Sequence, residues 1–124
     1  MIATDTSTLV AYLQGLEGPD VERLAAALAG VDLALPAIVV TEILSDPGPR
    51  RVLQPQIEQL EMLPILVGFW KRAGEIRRTL KQLGLRARIA DALIAQSCID
   101  HNVPLITRDD DFRHFAKHCG LKLA

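Results

Sequence analysis

The sequence predicts an α/β fold of three layers, helices packed on both faces of a short-stranded parallel sheet. Brief apolar runs at Met1–Thr4, Leu33–Leu35, Met62–Val67 and Val103–Ile106 alternate with segments of helical periodicity. That alternation is the pattern of βα units whose sheet is covered on both sides. The chain has 124 residues, 49% of them apolar, enough for one real core and too apolar for disorder. No repeat, linker or low-complexity stretch divides it. One domain spanning residues 1–124 is expected.

Taken in order, Met1-Ile-Ala-Thr4 is a minimal strand, and Asp5-Thr-Ser-Thr8 caps the next element. Leu9, Val10, Tyr12, Leu13 and Leu16 recur at helical spacing, so a first helix is expected over about Thr6–Leu13. Gly15 to Pro19 turns the chain, and Asp20 caps a second helix, Val21–Ala29, closed by Gly30. Leu33-Ala-Leu35 is a second strand ended by Pro36, which suits the first position of a helix carrying Val39, Val40, Glu42, Ile43 and Leu44. The β-branched residues there leave a strand open as the alternative. Ser45 to Pro49 breaks the pattern, and Arg51–Leu60 reads as a helix interrupted at Pro55.

Met62–Val67 reads as a third strand. A long helix over Phe69–Leu83 has its core seam at Phe69, Ala73, Ile76, Leu80 and Leu83, and Gly84 ends it. Next comes the most informative stretch, Ile89 to Phe112. Projected at about 100° per residue, Ile89, Ala90, Leu93, Ile94, Ala95 and Cys98 leave a polar strip around Gln96 and Asp100. Asp91 lies off that strip, among apolar neighbours, where a bare carboxylate is costly to bury. Asn102 stops the helix, and the strand Val103–Ile106 runs into Thr107-Arg-Asp-Asp-Asp111. Asp110–His118 is a short helix, and Leu121-Lys-Leu123 can add an edge strand.

The formal net charge is −1, so no global field draws the protein to nucleic acid or acidic lipid. Cys98 and Cys119 have no CxxC or histidine spacing beside them and read as reduced core thiols of a cytoplasmic protein. The N-terminus has neither the basic nor the apolar region of a signal peptide. No apolar run approaches the roughly 18 residues of a membrane span.

Ligands of an open parallel sheet gather at the C-terminal ends of its strands. Asp5 and Asp109 fall there, and Glu42 and Asp91 sit on helices that can reach the same edge. Each has a plainer reading: Asp5 as a helix cap, Glu42 as the half-buried partner of an arginine, Asp109 and its neighbours as a turn and cap. Asp91 in a first helical turn would be favoured by the helix dipole. Four carboxylates converging without basic partners would repel one another unless cations bridged them. Mg²⁺ or Mn²⁺ suits such oxygen ligands, and the combination suits phosphodiester hydrolysis.

The order and spacing also match a family. Asp5-Thr-Ser7, then Thr41-Glu42-Ile-Leu44, then Ala90-Asp91-Ala-Leu-Ile-Ala95, then Thr107-Arg-Asp109-Asp-Asp111-Phe112 resemble the PIN-domain ribonucleases. Within them they look most like the VapC-type toxins of prokaryotic toxin–antitoxin pairs. The resemblance covers essentially the whole chain and implies the PIN fold, a parallel sheet flanked by helices. It makes Asp5, Glu42, Asp91 and Asp109 the catalytic, metal-binding quartet, with Asp111 close enough to share or replace Asp109. Thr107 becomes the polar residue on the strand end, and Thr6 or Ser7 the hydroxyl beside the first acid. It further implies Mg²⁺- or Mn²⁺-dependent endonucleolytic cleavage of single-stranded RNA by an activated water, leaving 5′-phosphate ends. A cognate antitoxin and a homodimer are the implied partners.

Substrate contact needs positive charge. Between Phe69 and Ile89 lie Lys71, Arg72, Arg77, Arg78, Lys81, Arg86 and Arg88 against Glu75 alone. Trp70, Arg77 and Lys81 share a helical stripe that can offer stacking and phosphate contacts to RNA; a solvated helix face is the competing reading. His101, His114 and His118 lie off the acidic motifs and read as surface residues.

Other classes fit less well. A receiver-type signalling domain needs a phosphoacceptor aspartate after its middle strand, and Gly68-Phe69 follow Val67 here. A haloacid-dehalogenase-type phosphatase wants a second aspartate where Ser7 stands. The alternative that remains is a catalytically inactive PIN-like domain kept as an interaction module.

Overall fold

The computed structural model describes residues 1–48 and 54–124. The elements run β1 (Ile2–Thr4), α1 (Thr6–Leu13), α2 (Pro19–Ala29), β2 (Leu33–Leu35), α3 (Ala37–Leu44) and α4 (Gln54–Glu58). They continue through β3 (Glu61–Met62), α5 (Phe69–Gln82), α6 (Ile89–His101), β4 (Leu105–Ile106) and α7 (Phe112–Cys119). The four strands pair in parallel in the order β3-β2-β1-β4, within the three-layer α/β/α arrangement that the sequence predicts.

The sheet core is small side chains at the centre and large ones around it. Ala3, Ala34, Leu35, Leu105 and Ile106 are buried, and Leu24, Val39, Leu80, Phe112 and Phe115 close over them from the helices. Small residues at Ala3 and Ala34, which pair directly, let the covering helices approach closely.

Several elements settle differently from the sequence reading. Ala37–Leu44 is a helix, as expected, but Pro36 is its cap residue and not its first position. In α2, Pro19 takes the first position and Gly18 the cap, which frees Asp20 from the capping role expected of it. The Met62–Val67 strand shrinks to Glu61–Met62, because Pro64 has no N–H to give the ladder. Leu63 makes the last bond, donating its amide to the Leu35 carbonyl at 2.9 Å. The last helix starts at Phe112, two residues later than expected, and the final strand is a single bridge between Leu123 and Leu105. The expected break at 45–49 and helix over 51–60 lie partly outside the described residues; within them only Gln54–Glu58 is helical.

On α6, Gln96 is buried rather than facing solvent, and the Asp100 side chain is largely covered, because α5 lies against that strip. Arg72 donates to both Asp100 oxygens at 2.9 and 2.6 Å, and Gln96 donates to the same carboxylate at 2.7 Å. Ile89 is 61% exposed and Leu83 54% exposed, so neither joins the core as expected. His101 is half-buried, its Nε2 donating to the Pro64 carbonyl at 2.7 Å. No helix among the described residues is long and apolar enough to cross a membrane.

The topology fixes where a site can form. β1 lies between β2 and β4, so the chain's crossovers leave it in opposite directions and open a crevice at its C-terminal end. Asp5 follows β1 and Thr107 follows β4, and the pairing of Thr4 with Ile106 sets these two residues side by side. Because α6 returns through a three-residue link to the start of β4, its N-terminal turn, carrying Asp91, reaches the same edge.

Candidate active site

Asp5 is buried, with 2% of its surface exposed. Its Oδ1 accepts the Thr8 amide at 3.0 Å, which makes it the cap of α1 as well. Its Oδ2 accepts the Ser7 hydroxyl at 2.7 Å and the Thr107 hydroxyl at 2.6 Å. The cap reading thus holds for Oδ1, while Oδ2 is held by the Ser7 and Thr107 hydroxyls. Burial pushes the Asp5 carboxyl above its usual range, opposed by those three bonds and assisted by the nearby Asp109.

Asp91, Asp109 and Asp111 form the tightest acidic group: each offers an oxygen, and these lie within 4.8 Å of one another. Burial raises the Asp91 pKa to about 6, with Asp109, Asp111 and Asp5 adding to the rise and Arg88 opposing it. The loop carrying the other two acids is internally tied. The Asp109 amide donates to the Thr107 hydroxyl at 3.0 Å, and the Asp111 amide donates to Asp109 Oδ1 at 2.9 Å. Among the described residues, Arg86 makes a basic contact to the group, 3.6 Å from Asp111 and largely exposed.

Glu42 stands apart from this group. Its neighbours Val39 and Ile43 face the core while its own position on α3 is exposed, so it is not the half-buried residue the sequence suggested. It is linked to the site through Thr6, whose hydroxyl donates to Glu42 Oε1 at 2.7 Å. The two hydroxyls after Asp5 thus divide their work: Ser7 holds Asp5 and Thr6 holds Glu42.

The donor set is all oxygen and all anionic, and among the described residues Arg86 and Arg88 supply its cationic relief. That is the environment a hard divalent cation fits. Asp91, Asp109 and Asp111 could hold one, and Asp5 lies close enough to add to their mutual repulsion. Cys98, buried under the site, is no competitor: burial and Asp5 push its thiol up to about 12.

Of the basic stripe, Trp70 is 66% exposed and flanks a shallow cleft with Ala73, Arg77, Ile89 and Leu93. Next to it, Gly74, Arg77, Arg78, Lys81 and Gln82 line a second open cleft. Arg77 also has a structural task, its Nε donating to the Ala87 carbonyl at 2.8 Å. Arg72 is paired with Asp100.

Two residues at the site were not singled out for it in the sequence. Arg108, between Thr107 and Asp109, donates from Nε and Nη2 to Asp20 at 2.8 and 3.0 Å. That fork holds Asp20 down to about 2, below the ordinary carboxylate range. The only sequence signal was an arginine set among the acids of the motif.

A family profile described as PIN domain matches residues 2–118. No curated protein matches the chain in sequence. Among solved structures, VapBC2 from Rickettsia felis, bound to a DNA fragment from its promoter, superposes with a TM-score of 0.74 at 25% identity. The superposition covers 100% of this chain and 98% of that one. FitAB bound to an IR36 DNA fragment gives 0.70 at 26% identity, covering 100% and 94%. VapBC-5 from Mycobacterium tuberculosis, a member of the VapBC family of toxin–antitoxin systems, gives 0.70 at 20% identity, covering 98% and 95%, and shares the fold.

Proposed function

The chain belongs to the PIN domain family, matched from residue 2 to residue 118, and we propose that it is the toxin nuclease of a VapC-type toxin–antitoxin pair. Its activity is metal-dependent endonucleolytic cleavage of single-stranded RNA. The observation that carries this reading is the convergence of Asp91, Asp109 and Asp111 within 4.8 Å beside buried Asp5, at the switch point of a parallel sheet. An acidic cluster built for structure alone would be neutralised by arginines; this one meets Arg86 at its edge.

Asp91, Asp109 and Asp111 would hold the cation, with Asp5 completing the set and Glu42 linked to it through Thr6. A bound Mg²⁺ or Mn²⁺ supplies Lewis acidity, which lowers the pKa of water and offsets the charge of a phosphodiester. The chain's own contribution is orientation. Three bonds fix the Asp5 carboxylate, and the turn bonds of residues 107–111 fix Asp109 and Asp111. Arg86, Arg88 and the Arg78–Lys81 cleft give RNA phosphates a cationic approach.

The VapBC and FitAB neighbours support an antitoxin as the protein partner, and a homodimer is part of the same reading. The test is cleavage of total RNA with Mg²⁺, with Mn²⁺ and with EDTA, alongside Asp91→Asn. Fragments with 5′-phosphate ends that need both the metal and Asp91 are expected. A folded Asp91→Asn protein that cleaves as well as the wild type refutes the assignment.

A further inference from the structure

The loop from Thr107 to Asp111 crowds two carboxylates against a third, and repulsion at this range favours spreading the loop. Its internal bonds tie Asp109 to Thr107 and Asp111 to Asp109, but these fix its shape and not its place. Place comes from outside contacts, and two of them are side-chain hydrogen bonds made by the loop's first residues. One is the Thr107 hydroxyl on Asp5. The other is Arg108, which reaches away from the acids to the start of α2.

That second anchor is built with care. Asp20 is 7% exposed and receives both arms of the guanidinium, the strongest form of side-chain ion pair. The same Nη2 donates to the Glu17 carbonyl at 3.1 Å, so backbone as well as side chain holds it. Gly18 has φ +149°, and a Cβ there would lie 2.7 Å from Asp20 Oδ1 and 3.0 Å from Arg108 Nη2. No side chain fits at position 18 while the fork is closed. Gly18-Pro19-Asp20 is therefore shaped around Arg108, which lies 88 residues from Asp20 in sequence.

We propose that Arg108, clamped by Asp20 and the Glu17 carbonyl, is a positioning residue that fixes the Asp109–Asp111 loop and thereby sets the site's affinity for a divalent cation. The proposal rests on the nuclease reading above. Its signature is a sign. Arg108 carries positive charge next to a cation site, so by charge alone its removal would tighten metal binding. By position its removal loosens binding, since the acids lose their common frame. Arg108→Lys separates the two, because it keeps the charge and loses the fork.

Mn²⁺ titration of the purified protein by calorimetry, with Arg108→Lys, Arg108→Ala and Asp20→Asn, reads this sign. Arg108→Lys and Asp20→Asn are expected to bind Mn²⁺ at least about tenfold more weakly, as lost supporting partners of metal ligands do. Arg108→Ala is expected to bind more weakly still, against its electrostatics. Hydrogen exchange gives a readout that needs no metal. The Asp109 and Asp111 amides should exchange about tenfold faster in Arg108→Lys, with the Thr8 amide on Asp5 unchanged. Should Arg108→Ala fail to fold, Arg108→Lys and Gly18→Ala carry the same comparison. Folded variants with unchanged or tighter Mn²⁺ binding and unchanged exchange overturn the positioning role. A wild type that binds no Mn²⁺ overturns the nuclease reading and the affinity half of this one, and the exchange rates still decide the clamp.

Discussion

Asp91 and Asp20 show how one residue type is driven in opposite directions by its surroundings. Burial and three neighbouring acids raise Asp91 to about 6, whereas the Arg108 fork lowers Asp20 to about 2. For Asp91 the folded value lies above the unfolded one, near 3.8. The metal-free protein therefore gains stability as pH falls from about 6 to about 4, the native state binding the extra proton. For Asp20 the folded value lies below, so its contribution is complete above about 4 and is lost as pH falls towards 2. A maximum in apo stability near pH 4 to 5 is the expected sum, measurable by denaturant melts across pH in EDTA. Asp91→Asn removes the upper limb: the apo variant should be at least as stable as the wild type at pH 7 and should lose the stabilisation that Mn²⁺ gives it. For the wild type, Mn²⁺ at a hundred times its Kd should add about 2.7 kcal/mol. An Asp91→Asn protein that is clearly less stable without metal would mean that Asp91 is a structural partner and not a strained ligand.

At the scale of elements, the α5–α6 pair decides how firmly the connection between β3 and α5 is held. Arg72 donates to both oxygens of Asp100 and, through Nη1, to the Val67 carbonyl at 2.7 Å. His101 at the end of α6 holds the Pro64 carbonyl. With the Asp100 side chain only 7% exposed, Arg72→Ala leaves a carboxylate short of its main partner. A loss of about 1–3 kcal/mol is expected, read by chemical denaturation, while a loss under about 0.5 kcal/mol would show that solvent replaces the pair freely. This interaction was hidden in the sequence, where Gln96 and Asp100 look like a solvent strip. The strip is polar because it faces a guanidinium. What was legible came from local chemistry. Asn102, at φ +53°, ends α6 at the residue the sequence marked, and Pro36 starts α3 cleanly. The acids at strand ends were legible for the same reason, since an acid after a short apolar run is a local pattern. The exposure of Glu42 was not legible, because apolar neighbours on a helix can face the core without taking the next residue with them. Asp20 and Arg108 escaped because a pair 88 residues apart leaves no periodic trace.

Across the whole molecule, charge is separated and not merely balanced. The total is −1, yet the acids Asp5, Asp91, Asp109 and Asp111 gather at one sheet edge while the segment from Phe69 to Ile89 carries seven basic residues against one acid. Two of those seven, Arg72 and Arg77, are spent on Asp100 and the Ala87 carbonyl. Arg78 and Lys81 are exposed and line one open cleft. A neutral chain with this arrangement has little long-range pull on RNA, so contact must come from the few phosphates the cleft can reach. Replacing Arg78 and Lys81 together by alanine should weaken RNA binding and lower the slope of log K against log salt by about 1.4, two single-strand phosphate contacts at about 0.7 each. Arg77 is left in place so that the helix stays anchored at Ala87. Filter binding of a cleavage-deficient Asp91→Asn background at several salt concentrations measures the slope. If it does not change, Arg78 and Lys81 are an ordinary solvated helix face, and the substrate path must run past Arg86 and Arg88 at the rim of the acidic site instead.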